Sequence, residues 1–324
     1  MSKIVELLKL IVIPKSMAKV RLMSVLVSLF IFVLSAYLLA LPYGYQAAKM
    51  VEQYRDNYNF LALQEIPDDD AINQIFVEIN NLKCFATPEF TLSCSGLNKG
   101  EVFKRDISFV VAGEKYPIPI TKHIHFFIEN NGDEKSTINP VTDFDVESFP
   151  YQDNVEHYFV VLTHRYLYFQ AQLRGLSKLE KTHNDVMLLE MSSTLFYEGY
   201  IPEFNLQSAS PATDGHLMGT YIINQIILGL AAYAKSTAFI NTLLICVLFP
   251  FLMILIFWLF FRRNGRLTQF REYFNIAALS SVVPFLITFA VSWFFQPILN
   301  AYIFIFSIYY LFILYRINNI QTDL

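Results

Sequence analysis

Leu22 to Leu41 reads LMSVLVSLFIFVLSAYLLAL, twenty residues with no charge among them. About 20 apolar residues in a helix cross the hydrocarbon core of a bilayer, so residues 22–42 are expected to form a first transmembrane helix. On its N-terminal side, residues 1–21 carry Lys3, Lys9, Lys15, Lys19 and Arg21 against Glu6 alone. On its C-terminal side the character reverses, with 13 Lys/Arg against 25 Asp/Glu in residues 43–217, a net of −12. Hydrophobicity then returns. Ser236 to Phe261 is a second uncharged run, stopped by Arg262-Arg263, and Ile276 to Tyr315 holds two more legs interrupted at Gln296-Pro297. Proline disfavours an uninterrupted helix, so a helical hairpin is expected over 276–295 and 297–315. With 54% hydrophobic residues and a mean hydropathy of +0.39, the chain is too apolar for an ordinary soluble protein, yet its middle half is polar enough to fold in water.

The expected fold class follows: an α-helical polytopic membrane domain of four spans, plus an extracytoplasmic acidic α+β domain, residues 43–216, inserted between spans 1 and 2. Lys and Arg near the ends of spans favour the cytoplasmic side. A basic amphipathic leader (1–21), the loop 262–275 and the tail 316–324 are therefore expected inside a cell (plasma) membrane. Arg262, Arg263, Arg266 and Arg271 are the topology anchors, held among anionic lipids. Residues 217–235 are expected as an interfacial helix on the outer membrane surface, because Gly219, Asn224, Gln225 and Gly229 dilute their hydrophobicity; a fifth span or re-entrant segment is the alternative. At the N-terminus, the apolar region is longer than the 7–15 residues usual for a cleaved signal peptide. Ile4 to Ile13, broken at Pro14, is expected to lie along the inner leaflet.

Inside the acidic domain, Phe109–Val111, Ile124–Ile128 and Tyr158–Leu162 are β-branched and aromatic runs that predict strands, and Asn130-Asn131-Gly132-Asp133 predicts a turn. Asp68-Asp69-Asp70 before AINQIFVEI predicts a capped helix with Ile72, Ile75, Phe76 and Ile79 on one face. A second helix is expected over Ser177–Tyr197. Cys84 and Cys94, ten positions apart in an extracytoplasmic domain, predict a disulfide; two buried free thiols are the alternative. His123 and His125 share one strand face, a spacing compatible with a metal, but a solvated face is the preferred reading and no metal or other cofactor is expected. Helix capping likewise accounts for Asp68–Asp70 better than calcium, whose D-x-D-x-D-G loop is missing.

No G-x-S-x-G, P-loop, G-x-G-x-x-G or H-E-x-x-H occurs, so no catalytic residue is assigned and a non-enzymatic role is expected. The −12 charge of the acidic domain would repel phosphate, which disfavours nucleic acid as a partner. The spans carry no ionisable residue between their ends, and Asn241, Gln296, Asn300 and small hydroxyls are their main polarity. Ion-coupled transport is therefore disfavoured, and Ser280, Ser281, Gln296 and Asn300 are expected to hold helices together.

Three features carry a family resemblance: Pro14-Lys15 in the basic leader, R-x-x-x-F-R-E-Y-F-N-I-A-A-L-S-S-V-V-P from Arg266 to Pro284, and Y-x-x-I-x-x-I-Y-Y-L-F from Tyr302 to Phe312. In these the chain resembles a bacterial membrane-protein family of uncharacterised activity, often labelled maltodextrin-utilisation proteins and distantly similar to the Yip group. The likeness is best over Arg266–Tyr315. It implies an accessory role in carbohydrate uptake or its control and supplies no site residues. The expected partners are the lipid bilayer, another membrane or extracytoplasmic protein, and a carbohydrate, for which Tyr166, Tyr168 and Phe169 are candidate stacking residues; core packing is the preferred reading of those three.

Cysteine labelling of intact cells tests the topology. Single cysteines placed within 43–216 should react with a membrane-impermeant maleimide, while those in 262–275 and after residue 316 should react only after lysis. The reverse pattern would overturn the charge argument.

Overall fold

The computed structural model describes residues 12–53, 58–113, 116–131, 136–139, 143, 149, 152–172, 191–208, 215–263, 265–295 and 298–319. The chain divides into two compact units, one over Lys49–Tyr233 and one combining Met1–Ala48 with Ala234–Leu324.

The first unit is built on a sheet. After helices α3 (Tyr58–Gln64) and α4 (Asp70–Asn81), a two-stranded ribbon joins β1 (Cys84–Ala86) to β2 (Leu92–Cys94). Five further strands follow: β3 (Val102–Gly113), β4 (Tyr116–Glu129), β5 (Val155–Leu162), β6 (Tyr166–Gln172) and β7 (Met191–Phe196). They lie in chain order, antiparallel except for β4 and β5, which run parallel. The three expected strand runs thus sit inside β3, β4 and β5. β4 ends at Glu129, just before the expected turn signal at Asn130, but the parallel partner that follows needs a crossover rather than a hairpin.

α4 starts as its sequence dictates. Asp69 caps it, accepting from the Ala71 and Ile72 amides at 2.9 and 3.3 Å, which satisfies donors that the first turn leaves unpaired. Asp68 accepts from the Asn73 side chain at 2.7 Å. Phe76 and Ile79 are buried, and Ile72 and Ile75 pack beside them on the core.

The expected helix over Ser177–Tyr197 is corrected at its C-terminal end, where Met191–Phe196 is strand β7; residues 177–190 lie outside the described set. Ser193, Leu195 and Tyr197 are buried while Thr194 and Phe196 are exposed. That two-residue period is a strand pattern.

A larger correction concerns residues 217–235. The expected interfacial helix and the second span are one uninterrupted helix, α5 (Gly215–Phe261), 47 residues long. Met218, Ile222, Ile223, Ile226 and Ile227 join Phe60, Leu63, Phe76, Ile124 and Phe169 in the core of the sheet unit. Burying each such side chain contributes roughly 1.5–3 kcal/mol, which explains their hydrophobicity without a membrane surface. The two glycines are needed for contact. A Cβ on Gly219 would run into the Leu63 carbonyl oxygen, and one on Gly229 would lie 2.9 Å from a Leu195 methyl.

The second unit is helical. It comprises α1 (Pro14–Lys19), most of α2 (Val25–Glu52), the later part of α5, α6 (Phe270–Ser292) and α7 (Ile298–Asn319). Among the described residues four helices are long and apolar enough to cross a membrane: Val25–Glu52, Gly215–Phe261, Phe270–Ser292 and Ala301–Asn319. The leader is partly core rather than surface, since Met17 and Ala18 of α1 are buried with Tyr273, Ala277, Phe306 and Tyr310. Residues 4–11 of the leader lie outside the described residues, as do Gln296, Pro297 and the side chain of Asn300.

Polar contacts fasten this bundle at the break between α1 and α2. Asn275, fully buried on α6, donates to the Arg21 and Met23 carbonyls, each at 2.7 Å, and accepts from the Ser28 hydroxyl at 2.6 Å. Arg271 donates to the Leu22 carbonyl at 2.7 Å and to the Met23 carbonyl at 2.9 Å. Glu272 pairs with Arg21 at 3.2 Å and accepts from the Thr268 and Gln269 amides. Ser280 links helices as expected, its hydroxyl lying 3.8 Å from the Met17 sulfur of α1, and it also meets the Ile276 carbonyl of its own helix at 2.8 Å; Ser281 bonds only within its helix among the described contacts, donating to the Ala278 carbonyl at 2.8 Å. A helical serine often bonds back one turn in this way.

The predicted disulfide is present. Cys84 and Cys94 face each other across β1 and β2 and are bonded. Asn130, the first residue of the turn signal, anchors this ribbon by donating to the Cys94 and Leu97 carbonyls at 3.1 and 2.5 Å. Closing a loop of this size stabilises a fold by about 2–3 kcal/mol. Cys84→Ser with Cys94→Ser should therefore lower the urea midpoint of the sheet unit, read by circular dichroism, and dithiothreitol should reproduce the shift in the wild type; an unchanged midpoint would show that the bond adds no stability.

Candidate functional site

The two faces of the five-stranded sheet have different chemistry. Ile120, Ile124, Phe126 and Ile128 of β4, with Tyr158, Val160 and Leu162 of β5, enter the main core. One charged side chain shares that face: Lys122, fully buried, pairs with Glu65 at 2.8 Å and lies 3.7 Å from Glu156, which also accepts from the Tyr158 hydroxyl at 2.5 Å. A buried ammonium requires such partners, so this cluster reads as structural.

The opposite face gathers histidines. Alternation along β4 puts His123 and His125 on it, and the parallel register sets His157 opposite His123 and Phe159 opposite His125. Antiparallel pairing with β3 brings Asp106 opposite His125. The three imidazoles stack, with ring centres 5.1 Å apart for His123 and His157, 5.3 Å for His125 and His157, and 6.2 Å for His123 and His125. Phe149, from the β4–β5 crossover, packs at 5.1 Å from His125 and 5.3 Å from His157. Phe159 lies 4.9 Å from His125 on the same face.

A line of hydrogen bonds runs through the cluster. His125 Nδ1 lies 2.6 Å from Asp106 Oδ1, and His125 Nε2 lies 3.0 Å from His157 Nδ1. Where His125 donates Nδ1–H to the carboxylate, its Nε2 can accept the Nδ1–H of His157. Burial, followed by the charge of His125 and then of His123, lowers His157 from the usual 6.5 to about 4. Burial also lowers His123, reinforced by His125 and partly opposed by Asp106. His157 is consequently neutral at pH 7. The face then offers imidazole donors and acceptors, aromatic surface and one carboxylate.

The hydrogen-bonded line begins at the Asp106 carboxylate and ends on the His157 imidazole. Among the described residues no group of three His, Cys, Asp or Glu side chains is arranged to hold a metal ion.

The remaining sequence-predicted residues are dispersed. Arg262, Arg263 and Arg266 are exposed around the end of α5, while Arg271 reaches the Leu22 and Met23 carbonyls. Phe169 stacks on Phe60 at 5.4 Å within the core, Tyr168 is buried with Phe159 and Val161, and half-buried Tyr166 packs on Phe196. Packing accounts for these three. His164 is buried elsewhere, His216 bonds the Gln64 carbonyl, Asn241 is exposed on α5, and His183 lies outside the described residues. His157 and Asp106 are the members that sequence reading missed; the spacing of His123 and His125 was the available signal, and only the strand register adds the other two.

No family model, curated protein or solved structure matches the chain.

The lowered His157 has a sign-definite effect. On acidification the unfolded chain takes up this proton near pH 6.5, before the folded one does near 4, so a contribution present above 6.5 is lost as pH falls through that window. Because His157 is only half-buried, solvent screening reduces the effect to about 1–2 kcal/mol. The urea midpoint of the sheet unit should fall between pH 6.5 and 4, and His157→Gln should flatten that fall; an equally steep fall in the variant would remove the cluster as its cause.

Proposed function

We propose that this chain is a non-enzymatic multi-pass membrane protein whose sheet unit, on the extracytoplasmic side, is a binding module, and whose helical unit assembles with a further membrane component. The observation that carries this reading is the stack of His123, His125 and His157 on the sheet face opposite the main core, beside the smaller apolar cluster that Phe149 and Phe159 join. Surfaces of this composition recognise partners through hydrogen bonds combined with ring stacking. An accessory role in maltodextrin or other carbohydrate uptake is the concrete form suggested by the family resemblance, with either a sugar or a protein partner on the histidine face.

A second reading is a sensor of envelope or sugar state that signals through the Arg262–Arg271 loop. It is favoured by the grip of Arg271 on the Leu22 and Met23 carbonyls, which ties the loop after α5 to the start of α2.

Affinity capture of the detergent-solubilised full chain, followed by mass spectrometry, tests the leading reading. Wild-type protein should recover a membrane or extracytoplasmic protein at stoichiometric level, and His123→Ala with His157→Ala should release a partner held by the histidine face. Recovery of nothing, together with a sugar-specific rise in melting temperature that the same variant abolishes, would favour the sensor.

A further inference from the structure

The helical unit contains an apolar groove of about 460 Å³, lined by Phe261 at the end of α5 and by Ile308, Leu311, Phe312, Tyr315 and Asn318 of α7. That volume is within the ~300–1,000 Å³ range of sites for small ligands. Two properties identify what it takes. The first is its lining, which is bulky. Closely packed membrane helices meet through Gly, Ala, Ser and Thr, and the named residues include none of these, so the groove suits a flexible chain better than a partner helix. The second is its rim. Arg316 lies over the ring of groove-lining Phe312 at 5.4 Å, and Arg262, adjacent to Phe261, lies over Trp258 at 4.8 Å. The Arg266 amide donates to the side chain of groove-lining Asn318 at 3.1 Å, which brings a third arginine to the same end. The one acidic residue between positions 236 and 319 is Glu272, and it is occupied by Arg21 and the Thr268 and Gln269 amides.

We infer that this groove, rimmed by Arg262, Arg266 and Arg316, is a binding site for an anionic phospholipid, with an acyl chain against Phe312 and Tyr315 and the phosphate between the guanidinium groups. Arginine suits this task because its planar fork binds phosphate in a bidentate manner. The aromatic rings beneath Arg262 and Arg316 hold those side chains at the rim by cation–π contact. The inference rests on the helical unit lying in a bilayer.

The test uses the full chain in detergent, with phosphatidylglycerol and phosphatidylcholine of identical acyl chains, read by native mass spectrometry and thermal shift. Phosphatidylglycerol should bind about tenfold more tightly than phosphatidylcholine, and Arg262→Gln with Arg316→Gln should abolish that preference. Leu311→Trp should fill the groove and weaken both lipids, while Lys235→Gln, a control, should leave the preference intact. Glycerol phosphate, which has the headgroup charge without the chain, should not compete; competition would identify a site for soluble phosphate instead. Equal binding of the two lipids by the wild type, or a preference that survives the double arginine variant, would overturn the proposal. Carbonate extraction of native membranes separates the two readings: a chain retained in the pellet but lacking the preference removes the lipid site alone, whereas a chain released from the pellet removes the membrane assignment beneath it.

Discussion

One helix has to satisfy two cores. Over its first five turns, α5 sends Met218, Ile222, Ile223, Ile226 and Ile227 into the core of the sheet unit, while Tyr221 accepts the Asn205 amide at 2.8 Å. Later in the same helix, Cys246 packs with Ala36, Leu39 and Tyr302, and Ile254 packs with Phe32 and Tyr273. Glycine is retained where the early turns touch other backbone or side chains, and large apolar residues predominate where the later turns are exposed, as at Leu248, Phe249, Phe251 and Leu252. The residues change with the surroundings while the backbone remains regular.

The helical unit meets its backbone requirements with few polar side chains. Between α1 and α2 the chain leaves the helix, and the carbonyls of Arg21, Leu22 and Met23 need donors from elsewhere. Asn275 and Arg271 of α6 supply them. Tyr310 adds a link between α7 and α6 by donating to the Tyr273 carbonyl at 3.0 Å. These bonds come from side chains that begin or line helices.

The helical part was legible because its signal is long: runs of about 20 apolar residues with basic ends marked all four helices. The capped start of α4 and the Cys84–Cys94 bond were legible for the same reason, as short-range chemistry written in adjacent or nearby residues. The boundary errors share one cause. Gly219, Asn224 and Gly229 lower the hydrophobicity of residues 217–235, and this looks alike whether the segment meets lipid headgroups or a packed sheet. β7 was misassigned because Ser192 and Ser193 dilute its apolar positions, and only burial makes the strand alternation plain. In the candidate site, His123 and His125 were paired by spacing. His157 and Asp106 join them through registers across 32 and 19 positions of chain, which local sequence does not encode.

The parallel pairing of β4 with β5 bears on how the protein acquires its native state. Hairpins such as β5–β6 can zip from a short turn, but β5 reaches β4 only after the 25 residues between Glu129 and Val155 have been brought round. Closing that longer loop costs entropy before any pairing repays it. The histidine face exists only once this closure is complete, so it is assembled late. Until then a newly made chain would carry its apolar helices and its β5–β6 hairpin without the stacked histidines, and a chain that failed at this one step would keep most of its local structure and lack that face.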